Sequence, residues 1–97
     1  MVKADILTIL KSDLDIASTS TSKDAQLNNL IDFSVSALTR QGITFSNPYT
    51  TEEGTLIEMM AAFLYRRRKD ADAKEPDNFR FLRNNILLSQ KAATDEQ

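Results

Sequence analysis

The sequence predicts an all-α domain, a small bundle of about four helices. Only two glycines and two prolines interrupt its 97 residues, and these two residue types are the strongest breakers of regular structure. Apolar side chains recur at helical spacing in four segments, whereas only the short stretch GITF, residues 42–45, alternates as a strand would. A chain of this length forms one domain. We therefore expect a single helical domain over residues 1–97.

The amino-terminal part predicts two helices. The first covers about 2–14 and has one narrow apolar stripe made of Ile6, Ile9, Leu10 and Leu14. The polar connector STSTS ends in Thr21 and Ser22, two candidate N-caps for a second helix over about 23–41. The second stripe contains Leu27, Leu30, Ile31, Ser34 and Leu38, widened by Phe33 and Ala37. Gly42 follows as the residue that ends this helix.

A long loop over about 42–50 carries three large apolar side chains, Ile43, Phe45 and Tyr49. A loop surrounded by water does not need such side chains, because burying them is what stabilises them. We expect them to pack on the core or on a neighbouring subunit.

The third helix, about 52–69, is predicted to be the central one. Thr50 and Glu53 have the spacing of a capping box at its start. From Leu56 to Tyr65 it is apolar nearly all round, as a helix buried on every side must be. Its one charge there, Glu58, either has a raised pKa or lies on an exposed or paired strip. We favour the second, with an arginine of the following cluster or of a neighbour as its partner.

The fourth helix is predicted over about 77–91. Pro76 blocks continuation of the third helix and can stand at the start of the fourth. One apolar line contains Phe79, Leu82 and Ile86, and a second contains Phe81, Asn85 and Leu88. Residues 92–97 show no pattern, so we expect a mobile carboxyl-terminal tail.

Composition argues against an enzyme. The chain has no cysteine and no histidine, which removes thiolate nucleophiles, Cys/His zinc sites and His-based triads. The acids after the third helix lack the glycine and glutamate spacing of a calcium loop. The longest apolar run has seven residues, and a membrane span needs about 20. We expect no catalytic site, no cofactor, no metal and no membrane contact.

The most informative segment is FLYRRRKDADAKEPDNFRFLRNNILLSQK, residues 63–91. Four cations in succession spread almost around a helix, so they cannot form one stripe along a phosphate backbone. From Arg66 to Arg80 six cations face four acids, and the whole chain has a net charge of −2. Three interpretations remain: a solvated helix end, a nucleic-acid patch, or a subunit contact in which arginines meet a neighbour's acids head to tail.

This segment resembles the head–tail connector (head-completion adaptor) proteins of long-tailed double-stranded DNA phages. In that family a helix ending in a Leu-Tyr-Arg-rich sequence precedes a proline and a final helix with an Asn-containing apolar core. The matching positions here are Leu64, Tyr65, Arg66, Arg67 and Arg68, then Pro76, then Leu82, Asn84, Asn85, Leu87 and Leu88. The resemblance covers about 23–91, and its upstream part is looser.

The resemblance implies a structural protein of the virion neck, made in the cytoplasm of the bacterial host. Such proteins form a ring, usually of about twelve subunits, beneath the portal. The ring extends the DNA channel without sequence-specific binding and presents a platform for the next neck protein, a stopper or tail-completion protein. The expected subunit contacts are Arg66, Arg67, Arg68, Lys69, Asp70 and Asp72, together with Ile43, Phe45 and Tyr49 of the loop.

The resemblance also implies that the carboxyl-terminal segment docks on the portal. The residues concerned are Leu88, Ser89, Gln90, Lys91, Ala92, Ala93, Thr94, Asp95, Glu96 and Gln97. The alternative function is a small helical DNA-binding or DNA-packaging-associated phage protein that places Arg66–Lys69, Arg80 and Arg83 on phosphates. The acidic pI of about 5.0 disfavours this alternative, because free-standing DNA-binding modules usually carry a basic excess.

Overall fold

The computed structural model describes residues 1–95, and the side chains of residues 1–92. This part of the chain contains four helices and no strand, which confirms the predicted all-α fold. The helices are α1 (Lys3–Asp13), α2 (Asp24–Arg40), α3 (Thr51–Lys69) and α4 (Asp77–Asp95). The bounds of α1, α2 and α3 lie within one residue of the predicted ones. Helix α4 begins where predicted but continues beyond Lys91, so residues 92–95 of the predicted tail are helical, whereas Glu96 and Gln97 lie outside the described residues.

The predicted capping box starts α3. The Thr50 side chain accepts a hydrogen bond from the Glu53 amide at 3.1 Å, and the Glu53 carboxylate accepts one from the Thr50 amide at 3.0 Å. Gly42 follows Gln41, the C-cap residue of α2, and has a φ of 109°, a left-handed conformation that glycine adopts without strain. Both local signals in the sequence are therefore confirmed.

The predicted cap of α2 is wrong. Lys23 occupies the N-cap position and makes no side-chain cap hydrogen bond. The amide of Asp24 instead donates to the backbone carbonyl of Thr21 at 3.2 Å, and the hydroxyls of Ser20 and Ser22 face each other at 3.4 Å. The backbone carbonyl of Thr21 thus takes the place of the side-chain hydroxyl that was expected to cap the helix.

Helix α1 ends in a turn that the sequence analysis did not anticipate. Asp15 adopts a positive φ of 58°, and the amide of Ile16 reaches back to the carbonyl of Lys11 at 2.8 Å. This is the hydrogen-bond pattern of a Schellman motif, with aspartate in place of the usual glycine. The turn leaves Asp13, the last residue of α1, beside α3.

Helix α3 lies at the centre, as predicted. It packs against each of the other three helices, whereas α4 packs on α3 alone among the described helices. The buried core contains Ile6, Leu10, Leu27, Leu30, Ile31, Leu38, Ile43, Leu56, Ile57, Ala61, Ala62, Tyr65, Phe79 and Ile86. Phe33, predicted to widen the buried stripe of α2, is 52% exposed instead. The arrangement leaves one side of α2 and the outer side of α4 uncovered.

Candidate interaction surfaces

The basic corner, residues Arg66–Lys69 at the end of α3, consists of two cations held within the chain and two directed outwards. Arg66 donates to the Asp13 carboxylate at 3.1 Å. The Lys69 ammonium lies 4.9 Å from the centre of the Tyr65 ring. The Arg67 guanidinium stacks on the ring of Phe63 at 5.7 Å, and Arg68 is exposed with no ion pair among the described residues. Arg67 and Arg68 are thus the cations available to a partner.

A carboxyl pair lies between α1 and α3. Burial first, and then the neighbouring Asp13, raise the pKa of Glu58 from 4.5 to about 8. A hydrogen bond from Glu58 and the nearby Arg66 lower the pKa of Asp13. Glu58 is only 6% exposed, and its Oε1 atom finds no hydrogen-bond partner among the described residues. Glu58 is therefore a buried acid with a raised pKa, the alternative we did not favour; the group beside it is Asp13, and Arg66 lies beyond that carboxylate.

Tyr65 links the basic corner to the start of α2. Lys23 donates to the Tyr65 hydroxyl at 2.6 Å, across 42 positions of the sequence. This hydrogen bond raises the pKa of Lys23 and lowers the pKa of Tyr65. Lys23 therefore links the start of α2 to the end of α3.

The loop over 42–50 is closed by contacts within the chain. Ile43 is 1% exposed and belongs to the core, which leaves it no surface for a neighbour. Phe45 and Tyr49 are half-buried, pack on the same core and meet edge to face with ring centres 5.7 Å apart. The loop thus packs on the protein's own core, the first of the two outcomes we expected for it.

Polar groups fix the same loop from three sides. Glu53 accepts hydrogen bonds from the Ser46 amide at 3.0 Å and the Ser46 hydroxyl at 3.3 Å, besides the Thr50 amide. Met1 and Tyr49 exchange two backbone hydrogen bonds, at 2.7 and 2.8 Å. The Gln90 side chain accepts from the Thr44 amide at 2.9 Å and donates to the Thr44 carbonyl at 2.7 Å.

The residues implied in portal docking fall into three groups. Leu88, Ser89, Lys91 and Ala92 are exposed on α4. Gln90 is engaged with the loop, so it supports the chain's own fold. The backbone of 93–95 continues α4, and Glu96 and Gln97 lie outside the described residues.

An open groove lies between α2 and α3. It is lined by Leu30, Phe33, Leu64, Arg67 and Arg68 and has a volume of about 330 Å³. Leu30 forms its buried floor, and Phe33 stands at its edge. We refer to these five residues as the α2–α3 groove, an apolar depression bordered by the two outward cations.

A second apolar surface runs along the outer side of α4. Phe81 is 69% exposed and Leu88 is 64% exposed. Asp77, Phe81 and Leu88 lie within about 40° of arc on a helix of 3.6 residues per turn. We refer to these three residues as the α4 stripe. The inner line of the predicted pair, Phe79 and Ile86, is buried against α3.

The acids of the α3–α4 turn surround the start of this stripe. Asp70 accepts a hydrogen bond from the Asp72 amide at 3.0 Å, which stabilises the turn. Asp72, Glu75 and Asp77 are exposed, with no ion pair among the described residues. The α4 stripe thus begins in negative charge, whereas the α2–α3 groove ends in positive charge.

The two arginines of α4 differ in their surroundings. Arg83 donates to the Gln41 side chain at 3.3 Å and stacks on Phe79 at 5.8 Å. Arg80 is exposed. Within residues 1–95 no three acidic side chains come close enough together to hold a metal ion, and no helix is long and apolar enough to cross a membrane.

Comparison with known proteins gives no match: no family matches the chain, and neither does any curated protein or solved structure. The functional proposal therefore depends on the surfaces described above.

Sequence reasoning missed the α2–α3 groove and the carboxyl pair. The groove joins residues about 30 positions apart, and the pair joins Asp13 to Glu58. The single charge in an apolar helix did identify Glu58 as unusual, but no local signal identifies its partner. Phe81 and Leu88 were recognised as a line of their own, without a reason to place that line outside.

Proposed function

We propose that this protein is a structural subunit of a ring in the neck of a long-tailed double-stranded DNA phage. In this role it docks under the portal, extends the DNA channel and gives the next neck protein its attachment platform. The observation that carries the proposal is the presence of two uncovered apolar surfaces on different sides of one small chain, the α2–α3 groove and the α4 stripe. Two different faces are what a subunit needs to contact one neighbour on each side.

The exposed apolar side chains support the same proposal. Phe33, Phe81 and Leu88 are each more than half exposed, and apolar patches left uncovered on a protein are typical of surfaces that assemble. A ring would cover Phe33, Phe81 and Leu88 on every subunit.

The proposal includes partners on both sides of the ring. The exposed end of α4 after Leu88 and residues 93–97 are the segment we assign to the portal, while Leu88 belongs to the subunit contact. A stopper or tail-completion protein is the partner on the opposite side. Residues of net negative charge would line the channel without holding DNA, because phosphate binding requires cations. The protein would be made in the host cytoplasm and would end in the virion.

Native mass spectrometry of the chain, alone and mixed with the portal ring of the phage that encodes it, tests this function. We expect a portal complex that carries about one ring of this chain, about twelve copies by the family resemblance. A portal that binds no copies, under conditions in which both proteins are folded, would contradict the neck assignment.

The alternative is a small DNA-binding or packaging-associated protein. The exposed Arg67, Arg68 and Arg80 favour it, whereas Arg66 and Arg83 are engaged within the chain. A titration with duplex DNA separates the two functions. Affinity that is measurable at low salt and falls steeply with added salt would favour DNA binding.

A further inference from the structure

We infer that the α4 stripe of one copy of this chain docks in the α2–α3 groove of the next copy, head to tail. The inference deepens the proposed function and rests on it, since it names the two faces that a ring would join.

The two surfaces match in polarity. The groove offers an apolar floor and wall, Leu30 and Phe33, to a protruding side chain. The stripe offers Phe81, which is the most exposed of the large apolar side chains described, and Leu88 two turns later. An aromatic anchor in a concave apolar site is the usual centre of a protein interface.

The two surfaces also match in charge and in spacing. Arg68 follows Leu64 by four residues on α3, and Asp77 precedes Phe81 by four residues on α4. Each charge therefore lies about 6 Å along its helix from the apolar residue beside it, at 1.5 Å per residue. When Phe81 enters the groove beside Leu64, an antiparallel or crossed approach brings Asp77 towards Arg68. Arginine and carboxylate then form a charge-assisted pair at the edge of the contact.

A contact of this kind is heterologous, because it joins two different patches. The groove lies on the α2 side of α3, whereas α4 packs elsewhere on α3 and does not contact α2. A chain therefore leaves its own groove open. After each binding step the growing assembly keeps one unused groove at one end and one unused stripe at the other, so association continues until the ring closes.

Single cysteines test the pairing directly, because the chain has none of its own. Ser36→Cys, one turn after Phe33 on α2, and Asn84→Cys, one turn after Phe81 on α4, are at exposed positions that leave the apolar side chains in place. The two chains are mixed in equal amounts and treated with a short bismaleimide cross-linker, alone and with the portal ring. We expect the mixed product to exceed either same-residue product by about tenfold, whereas random collision gives about twofold. Ile9→Cys, exposed on α1 and outside both surfaces as defined, is the matched control.

Each outcome of this experiment bears on the inference or on the neck assignment. Mixed product no more abundant than the product of Ser36→Cys with Ile9→Cys, both with and without the portal, overturns the inference. A dominant Asn84→Cys dimer also overturns it, since that product indicates a symmetric contact between two α4 helices. Cross-linking without portal binding would leave the paired surfaces standing and remove the neck assignment. Portal binding without the cross-link would leave the neck assignment standing and remove the paired surfaces.

Charge reversal provides a second measurement, which tests the Arg68–Asp77 pair with the apolar side chains in place. Arg68→Glu in the Ser36→Cys chain is expected to reduce the mixed product several-fold. Asp77→Lys in the Asn84→Cys chain is expected to restore it, because the two charges are then exchanged. Far-ultraviolet circular dichroism of each variant checks that it is folded. If Asp77→Lys does not restore the mixed product, the Arg68–Asp77 pair is not part of the contact.

Discussion

The loop over 42–50 and the α2–α3 groove both bring large apolar side chains to the edge of the molecule, but they differ in what covers them. The loop is closed by Ile43 in the core, by Glu53 beneath its backbone and by Gln90 across it. The groove has exposed Phe33 at its edge and no covering element among the described residues. An apolar residue in a loop is thus a weak sign of an interface, whereas an apolar depression bordered by outward arginines is a stronger one.

Truncation of Ile43 should have the largest effect on stability. Ile43→Ala leaves a cavity in the core and is expected to lower the free energy of unfolding by about 2–4 kcal/mol. Phe33→Ala in the groove is the matched comparison, with an expected loss of about 1 kcal/mol or less, since Phe33 is half exposed. Urea unfolding measures both. Equal losses would show that the groove belongs to the folded core.

Removal of the Glu53 carboxylate should have the next largest effect. Glu53→Ala removes the acceptor of hydrogen bonds from Ser46 and Thr50, and we expect a loss of about 2–3 kcal/mol. Glu52, an exposed acid in the same helical turn, is the control. If Glu52→Ala costs as much, the effect comes from the helix dipole and not from the loop.

The carboxyl pair predicts a stability that falls as pH rises. Below pH 4.5 Glu58 is protonated in the folded and the unfolded chain; between 4.5 and about 8 only the folded chain holds the proton. Stability is therefore lost through this window and levels off above it. Glu58→Gln, whose amide still donates to Asp13, should remove the decline and raise the free energy of unfolding at pH 8 by roughly 1–3 kcal/mol.

Urea unfolding at a series of pH values measures this slope, with Glu52→Gln as the control that should retain it. An unchanged slope in Glu58→Gln would show that another group titrates. Asp13 acts in the opposite sense: its lowered pKa contributes stability that is present above its ordinary value and is lost as pH falls through the lowered one.

Reversing the charge of the two outward arginines should have the smallest effect on the stability of the fold, but it should abolish association. Arg67→Glu with Arg68→Glu is expected to cost about 1 kcal/mol, because acids meet the carboxyl end of a helix unfavourably. Circular dichroism should stay that of a folded monomer, while native mass spectrometry should show no ring. Lys74→Glu, an exposed cation of the α3–α4 turn, should leave assembly unchanged. An unfolded double variant would assign these arginines to the internal structure.

The fold could be predicted from the sequence because its signals are local. The Thr50–Glu53 box, Gly42 and the apolar middle of α3 each act within a few residues. The cap of α2 was predicted wrongly because it is a backbone carbonyl, and backbone carbonyls leave no trace in a sequence. The end of α4 was placed early because residues 92–95 have no apolar periodicity.

The candidate surfaces could be predicted only in part. Arg66 to Lys69 were expected to act together, but Asp13 and Tyr65 hold two of them. The Arg66–Asp13 contact joins distant parts of the chain, so its formation depends on how α1 and α3 pack, whereas Lys69 and Tyr65 lie one turn apart on α3. Phe33 follows the helical spacing of the α2 stripe and is nevertheless exposed, since no neighbouring helix reaches that side.

The amide of Gln90 meets the backbone of Thr44 as a strand would, accepting from its amide and donating to its carbonyl. It thereby connects the last turns of α4 to the loop that precedes α3. A displacement of the last turns of α4 by a bound partner would reach the Thr44 backbone through this side chain, and from there Glu53 and the first turn of α3. Helix α4 is thus linked to α3 through the loop as well as by direct packing.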